Sequence, residues 1–414
     1  MDRWWLLFVL NLPILQEVIR KYFIPNDFVF FAADILVILT VIALFLRGQL
    51  YNQRLPTLFW ILSAIFITWT VGAHILQGRH IGLYGIGLRA TFLPVMYMLV
   101  ASSYITYTPK SINRIFLCVN FWILTAGCMA FLQLALGKGH WINSVWGNTG
   151  LGIGDYGSRE KGILLAGLFR PTSIFTHTGK FGQAIYTLVL FKWCFLSFCG
   201  EKKSKIFYLL VFFDLAAIFA SGQRGAVVFL IFSAILILFF YARMPRTRIS
   251  MFVFLILILG LGILAGAIAN PKVASAIFDR FYSAVDSAPE RLIGNFILPI
   301  KTMLTDYLIF GEGLGFFTFG GRTFGGTLVY KYIKMDGLGE SSLIRFCGEV
   351  GVVCALIMIL AFASLVVKGY RQFKTNMNTP FGASAIFYVI WVISLVAWSN
   401  TADIFANSVT TTLG

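Results

Sequence analysis

The sequence predicts an all-α polytopic membrane protein with about eleven (ten to twelve) spanning helices and two large extracytoplasmic loops. Three observations lead to this class: 58% of the residues are hydrophobic, 12% are charged, and the mean hydropathy is +0.83. The chain repeatedly supplies apolar runs close to the roughly 20 residues that a helix needs to cross a hydrocarbon core of about 30 Å. Runs this long and unbroken exclude the strands of a closed barrel, so the spans are expected to be helices.

The apolar runs follow one another within a single membrane domain, residues 1–414. The first run contains Pro13 and Glu17 and lacks a small-residue cleavage site, so we expect a retained span and not a signal peptide. The predicted spans are residues 4–23, 27–46, 56–77, 86–105, 113–136, 181–200, 206–221, 225–242, 250–269, 342–367 and 381–399.

Basic residues give these spans an orientation. With the N-terminus in the cytoplasm, the short inside loops collect basic side chains, as the positive-inside rule expects. These residues are Arg47, Arg54, Lys110, Arg114, Lys202, Lys203, Lys205, Arg243, Arg246, Arg248, Lys368, Arg371 and Lys374. The polar tail, residues 400–414, would then lie outside.

Two classes of site are not indicated by the composition. The net charge of +16 would suggest nucleic-acid binding in a soluble protein, but here the charges follow the membrane topology. All six cysteines fall in predicted spans, with no CxxC pair and no His/Cys cluster. We therefore expect neither a nucleic-acid partner nor a disulfide framework, and no metal site or other cofactor is predicted.

Two long loops, residues 137–180 and 270–341, are predicted on the outside. Loops of this length are usually functional. Both are rich in glycine and in basic residues: Arg159, Lys161, Arg170, His177 and Lys180 in the first, and Lys272, Arg280, Arg291, Lys301, Arg322, Lys331 and Lys334 in the second. Cations on the outer surface suggest an anionic ligand there. The alternative is that long loops simply escape the positive-inside rule.

Arg224 belongs to the same outer face, in the short turn Ser221-Gly222-Gln223-Arg224-Gly225 between two spans. Its guanidinium suits phosphate, because the planar fork donates two parallel hydrogen bonds and stays charged. The flanking glycines allow a ligand to approach the backbone closely. The alternative is an arginine that only extends toward lipid headgroups.

Polar residues inside predicted spans leave a transporter open as a second class of function. Arg345 and Glu349 are four residues apart and are expected to form an ion pair. Asp34 and Asp214 lie deep in apolar runs, and the sequence identifies no partner for either. A chain of such carboxylates is also typical of a proton pathway.

Several short motifs occur in a fixed order: Gly167-Leu168-Phe169-Arg170-Pro171-Thr172-Ser173, the Ser221–Gly225 turn, Arg280, Arg291, and Gly311-Glu312-Gly313-Leu314-Gly315. From roughly Arg170 to Gly351, their order and spacing resemble the O-antigen polymerase (Wzy-type) and O-antigen ligase superfamily. Ligases of that superfamily carry a His-[Asn/Ser/Gln]-x-x-Leu-x6-Gly signature before a late span. Here the same spacing begins with Glu340, has Ile344 in place of leucine, and ends at Gly351. The missing histidine favours a polymerase over a ligase.

The resemblance implies a GT-C-like architecture and an active site that faces the periplasm, at the bacterial inner membrane. It implies a glycosyltransferase of lipopolysaccharide or other polysaccharide biosynthesis. The donor would be a polyprenyl-diphosphate-linked oligosaccharide such as an undecaprenyl diphosphate, and the acceptor a hydroxyl of a second lipid-linked repeat unit. Neither a nucleotide sugar nor a metal would be used, and a chain-length regulator is the implied protein partner.

The resemblance also implies roles for individual residues. Arg224 and Arg291 match the arginine positions of the family and are the candidates for stabilising the diphosphate leaving group. Glu340 is the candidate base for the acceptor hydroxyl, with positioning of the acceptor or simple stabilisation of a helix start as the alternatives. The candidate substrate-binding residues are Arg170, Arg280 and His177.

Overall fold

Helices make up almost all of the described part of the chain. The computed structural model describes residues 3–24, 27–49, 55–106, 109–136, 140, 142, 164–165, 168–169, 171–175, 178–199, 205–241, 298–316 and 342–399. Its helices are α1 (Arg3–Tyr22), α2 (Asp27–Leu46), α3 (Thr57–Leu76), α4 (Ile81–Thr106), α5 (Pro109–Leu136), α6 (Thr178–Phe198), α7 (Lys205–Ala220), α8 (Arg224–Tyr241), α9 (Leu298–Asp306), α10 (Ser342–Val350), α11 (Val352–Thr375) and α12 (Pro380–Ser399). Two two-residue strands, β1 (Leu164–Leu165) and β2 (Leu168–Phe169), pair antiparallel within the first predicted loop.

Five of the described helices are long and apolar enough to cross a membrane: α3, α4, α5, α6 and α11. Apolar segments of α2, α7, α8 and α12 are shorter. Large apolar side chains are exposed on the peripheral helices, including Leu39 and Phe45 on α2 and Ile235 on α8. Such surfaces are unfavourable in water and favourable in lipid. The coarse prediction of a helical membrane protein is therefore confirmed, whereas the number of spans and the GT-C-like architecture stay predictions.

Helix α6 lies at the centre of the bundle, and 94% of its apolar stretch is buried. It packs against α5, α7, α8 and α12. Polar side chains also link it to its neighbours: Tyr186 and Ser233 lie within hydrogen-bond distance (2.7 Å), and Ser233 lies 3.0 Å from Ser394 on α12. Because each hydroxyl has a partner inside the bundle, these polar groups are compatible with burial.

The remaining long helices surround this centre in two groups. Helix α4 packs against α1 and α2, and α11 packs against α3 and α12. The carboxylate of Asp34 on α2 pairs with the guanidinium of Arg89 on α4. Since each residue lies about two turns from the start of its helix, α2 and α4 begin at the same end of the bundle.

We call this end the upper end; it holds the carboxyl end of α1 and the α3–α4 turn. The opposite, lower end holds the start of α1, where Arg114 of α5 lies over the Trp4 ring, and the ends of α6 and α11, where Phe198 contacts Phe373. Five of the basic residues that the sequence assigned to the cytoplasmic side lie toward this lower end: Arg47, Arg114, Lys368, Arg371 and Lys374. The structure thus places these cations at one end of the bundle, as the positive-inside rule predicts.

One predicted span is not continuous. Residues 342–367 were expected to form one helix, but α10 ends at Val350 and α11 begins at Val352. Gly351 between them has φ +87°, and a Cβ there would overlap the carbonyl oxygen of Ile309. The prediction of a single helix was wrong because glycine in this left-handed conformation ends α10. The predicted span 250–269 lies outside the described residues.

Candidate functional site

Most of the predicted site residues lie outside the described residues: Arg170, His177, Arg280, Arg291 and Glu340. Arg224 is described for its backbone only, as the first residue of α8. The structure therefore bears on the site through the segments that flank these positions. Two such segments are held at the upper end of the bundle, one directly after Arg170 and one in the glycine motif of residues 311–315.

The segment that follows Arg170, Pro171–Phe175, is fixed to α5 through Ser173. The backbone N–H of Ser173 donates to Oε1 of Gln133 (2.7 Å), and its carbonyl oxygen accepts from Nε2 of the same side chain (3.0 Å). Its hydroxyl donates to the carbonyl oxygen of Ala126 (2.6 Å). Ser173 has φ +54°, an unfavourable conformation for a residue other than glycine. These three hydrogen bonds offset that strain and hold the Pro171–Phe175 segment against α5.

Helix α1 secures the same segment from the other side. The ammonium of Lys21 donates to the Thr172 hydroxyl (2.7 Å) and to the Ser173 carbonyl oxygen. The Tyr22 hydroxyl donates to that carbonyl as well (3.1 Å). Lys21 is fully buried, so its hydrogen bonds replace those that it would make to water.

A carboxylate and further cations complete this corner. The carboxylate of Glu17 accepts from the Lys180 ammonium at the start of α6 (2.7 Å) and lies 3.8 Å from the Arg20 guanidinium. We call Glu17, Arg20, Lys21, Lys180 and the Thr172–Ser173 pair the basic corner. Among its described side chains, the cations outnumber the single carboxylate. Basic side chains gathered at one end of the bundle favour the approach of an anion.

The turn that contains Arg224 lies at the same end of α6 as the basic corner. A Cβ at Gly182 would overlap the side chain of Gln223, so this turn packs directly on the first turns of α6, two residues from Lys180. The Ser221 hydroxyl donates to the Ile218 carbonyl oxygen (2.6 Å), and Gly222 adopts φ +59°. Two motifs of the resemblance, the one that ends at Ser173 and the Ser221–Gly225 turn, thus lie at the same end of α6.

The glycine loop, Gly311–Gly315, connects the α3–α4 turn with α10. The backbone N–H groups of Glu312 and Gly313 donate to the carbonyl oxygens of Gly348 (2.8 Å) and Glu349 (2.9 Å). The N–H of Gly315 donates to the Glu349 carboxylate (2.9 Å). A Cβ at Gly311 would overlap the backbone of Glu349, which explains the need for glycine at this position.

The α3–α4 turn holds the other side of this loop. Gln77 donates to the Gly311 carbonyl oxygen, and the Arg79 guanidinium pairs with the Glu312 carboxylate (2.5 Å). Arg79 also lies over the Phe316 ring, 4.6 Å from its centroid. These contacts anchor the carboxyl end of α10, the helix that begins two residues after Glu340 in the sequence.

The two carboxylates for which the sequence gave no partner are both paired. Asp214 on α7 pairs with Lys192 on α6, and Asp34 pairs with Arg89. The side chains of the first pair are 1% exposed each. Each of these carboxylates therefore has a cation partner on a neighbouring helix, as a charge inside a helical bundle requires.

Neither the search for a metal site nor the comparison with known proteins identifies a function. The described residues contain no group of three or more His, Cys, Asp or Glu side chains that could hold a metal ion. No protein-family model matches the chain, and no curated protein matches it.

The α1 residues of the basic corner were missed at the level of sequence. Arg20 and Lys21 form a basic pair at the end of the first predicted span, on the face where the positive-inside rule expects few cations. That departure was the available signal. No comparable signal marked Gln133 or Ser173, because their roles depend on contacts between segments 40 residues apart.

Proposed function

We propose that this chain is an O-antigen or exopolysaccharide polymerase of the bacterial inner membrane. It transfers glycan from a polyprenyl-diphosphate-linked donor to a hydroxyl of a lipid-linked repeat-unit acceptor, without a metal, on the periplasmic side. The upper end of the bundle faces the periplasm in this proposal. A chain-length regulator is its expected protein partner.

The observation that carries the proposal is the basic corner. It contacts the residues that follow Arg170, and it lies at the same end of α6 as the turn that begins α8 with Arg224. A lipid diphosphate is an anion whose binding requires cations at the membrane surface, and buried cations attract it more strongly than fully hydrated ones. The basic corner thus supports an anion site at the position where the resemblance expects the donor.

The chemistry follows from the charge that develops on the donor. The bond between the anomeric carbon and the diphosphate oxygen breaks, and the acceptor oxygen forms the new bond to the same carbon. Negative charge grows on the departing polyprenyl diphosphate, where Arg224 and Arg291 stabilise it. The proton of the acceptor hydroxyl passes to the carboxylate of Glu340.

The proposed role of Glu340 is supported by the anchoring of α10, the helix that follows this residue. The glycine loop holds Gly348 and Glu349 of α10 through backbone hydrogen bonds, and Arg79 and Gln77 hold the loop. A catalytic base is effective only when it is placed within hydrogen-bond reach of the proton that it removes. Anchoring α10 would therefore favour catalysis by Glu340, which precedes this helix in the sequence.

The paired carboxylates weigh against the transporter. With Asp34 and Asp214 each neutralised by a neighbouring helix, the main sequence feature that favoured a proton-coupled carrier has a structural explanation. A ligase remains the alternative within the same superfamily, with lipid A-core or another molecule as acceptor. It differs from the polymerase in its acceptor and in the histidine that Glu340 replaces.

The test is an assay with purified protein in lipid bilayers. The protein is supplied with a lipid-linked repeat unit and a chelator, and the products are separated by size. A ladder of longer lipid-linked glycans is expected, and it should disappear for Arg224→Lys at an equal protein level. Transfer only to a different acceptor would replace the polymerase with the ligase, and an unchanged substrate would overturn both.

A further inference from the structure

A cavity of about 620 Å³ lies within the bundle, away from the basic corner. Its walls come from α1, α4, α5, α6, α11 and α12. The residues of α1, α4, α5, α11 and α12 that line it belong to the lower half of the bundle, from Leu7 on α1 to Gln372 on α11. This volume is in the range of small-molecule binding sites, roughly 300–1,000 Å³.

The deep part of the cavity is apolar. Leucine, isoleucine, methionine and aromatic side chains provide most of the lining. Of the polar groups there, Asn11 accepts a hydrogen bond from the Trp122 indole N–H (2.5 Å) and donates to the Leu7 carbonyl oxygen (2.7 Å). Thr187 donates to Gln183 (3.0 Å) and accepts from Trp391 (3.3 Å). Since these polar groups already have hydrogen-bond partners within the bundle, the cavity presents a surface suited to a hydrocarbon chain.

The end of the cavity near the lower end of the bundle is polar and positively charged. Lys368, Gln372, Asn376 and Ser384 line it there, and no carboxylate lies among the described lining residues. Lys368 has no ion-pair partner within the described part of the chain. A cation beside an apolar cavity, at the edge of a membrane, matches a ligand with a hydrocarbon chain and an anionic head.

We propose that this cavity binds an anionic membrane lipid from the leaflet at the lower end. One hydrocarbon chain fills the space between α1, α4, α5 and α11, and the headgroup phosphate pairs with Lys368. Different parts of the cavity bind the hydrocarbon chain and the headgroup of the lipid. Mutations can therefore weaken either interaction without the other. This site is independent of the glycosyl transfer proposed above and does not require it.

The test measures the lipid that stays bound to purified protein. Native mass spectrometry would compare phosphatidylglycerol with phosphatidylcholine added to delipidated protein at equal concentration. Phosphatidylglycerol should be retained preferentially. Lys368→Gln should lower that preference by roughly fivefold, the factor that corresponds to one cation near an anionic membrane surface. Arg47→Gln, which removes a cation at the end of α2 outside the cavity lining, is the matched control and should change nothing.

A second variant tests whether the hydrocarbon chain of the lipid occupies the cavity. Ala101→Phe places a ring in the cavity from α4 and should reduce the retention of both lipids, while the melting temperature and elution volume show that the protein is folded. Inorganic phosphate at millimolar concentration should not displace the lipid. Equal retention by wild type, Lys368→Gln and Ala101→Phe would overturn the proposal, and so would displacement by phosphate alone.

Discussion

The ammonium of Lys192 lies 2.7 Å from the carboxylate of Asp214, with both side chains buried between α6 and α7. The two helices are consecutive in the chain, and α6 is the centre of the bundle. Each charge is therefore compensated by the next helix at a depth where an unpaired charge is very unfavourable.

Removing one member of this pair should destabilise the fold. Asp214→Asn leaves the Lys192 charge uncompensated, and the expected loss is about 3–5 kcal/mol in the free energy of unfolding. The double variant Lys192→Met/Asp214→Leu removes both charges and should recover most of that loss. Thermal unfolding in detergent measures both; a double variant as unstable as the single one would show that the pair contributes more than charge compensation.

The basic corner should govern donor affinity. Lys180→Gln removes one cation beside Glu17, and we expect KM for the lipid-diphosphate donor to rise roughly fivefold with a smaller change in kcat. Lys374→Gln removes the same charge at the lower end and serves as the control. If both variants raise KM equally, the donor is attracted by the net charge of the whole protein and not by the basic corner.

Arg224 and Arg291 should require the guanidinium and not only a positive charge. Arg→Lys at either position keeps the charge and loses the two parallel hydrogen bonds, so activity should fall about 10²-fold. The measurement is polymerisation rate at matched protein levels in the membrane. Wild-type turnover by both lysine variants would rule out the proposed diphosphate clamp.

Glu340 should act as a base. Glu340→Gln keeps the shape of the side chain and removes the proton acceptor, and the rate should drop by roughly 10²- to 10⁴-fold with donor affinity unchanged. A loss under about tenfold would mean that the carboxylate only positions the acceptor. Glu340→His restores the ligase residue at the same spacing. Polymerisation by that variant at the wild-type rate would remove the reason for preferring a polymerase to a ligase.

The orientation in the membrane can be measured directly. Single cysteines replacing Pro245 and Tyr370 should be labelled only after the cytoplasmic side is opened to a membrane-impermeant reagent. Cysteines replacing Gly150 and Gly325 should be labelled from the outside. Tyr370 lies near the lower end, where Phe240 contacts it, so its label also reports which way the bundle is inserted. Reaction of both sets from one side would contradict the proposed topology.

Composition and apolar run length were sufficient to predict the class of fold, because the membrane requires long apolar helices whatever the function. They could not predict the break at Gly351, since an apolar run continues through it and the backbone conformation depends on contact with Ile309. The ion pairs of Asp34 and Asp214 were also out of reach, because each partner lies on another helix.

The candidate site was predictable only as a set of positions. The motif that ends at Ser173 and the Ser221–Gly225 turn were recognised as separate short patterns. Their position at the same end of α6 depends on contacts of Phe175 with Phe181 and of Gly182 with Gln223. The contribution of α1 was missed because Lys21 reaches Thr172 and Ser173 across about 150 residues of sequence. Spacing along the chain carries no information about such a contact.

The anchoring of α1 by a segment so far along the chain sets an order for biogenesis. Lys21 meets Ser173 and Glu17 meets Lys180 only after more than 150 further residues have been synthesised. Until then, the end of α1 carries charged side chains without these partners, and α1 cannot reach its final packing. The contacts that fix the end of α1 can therefore form only after the chain has been made as far as Lys180, at the start of α6.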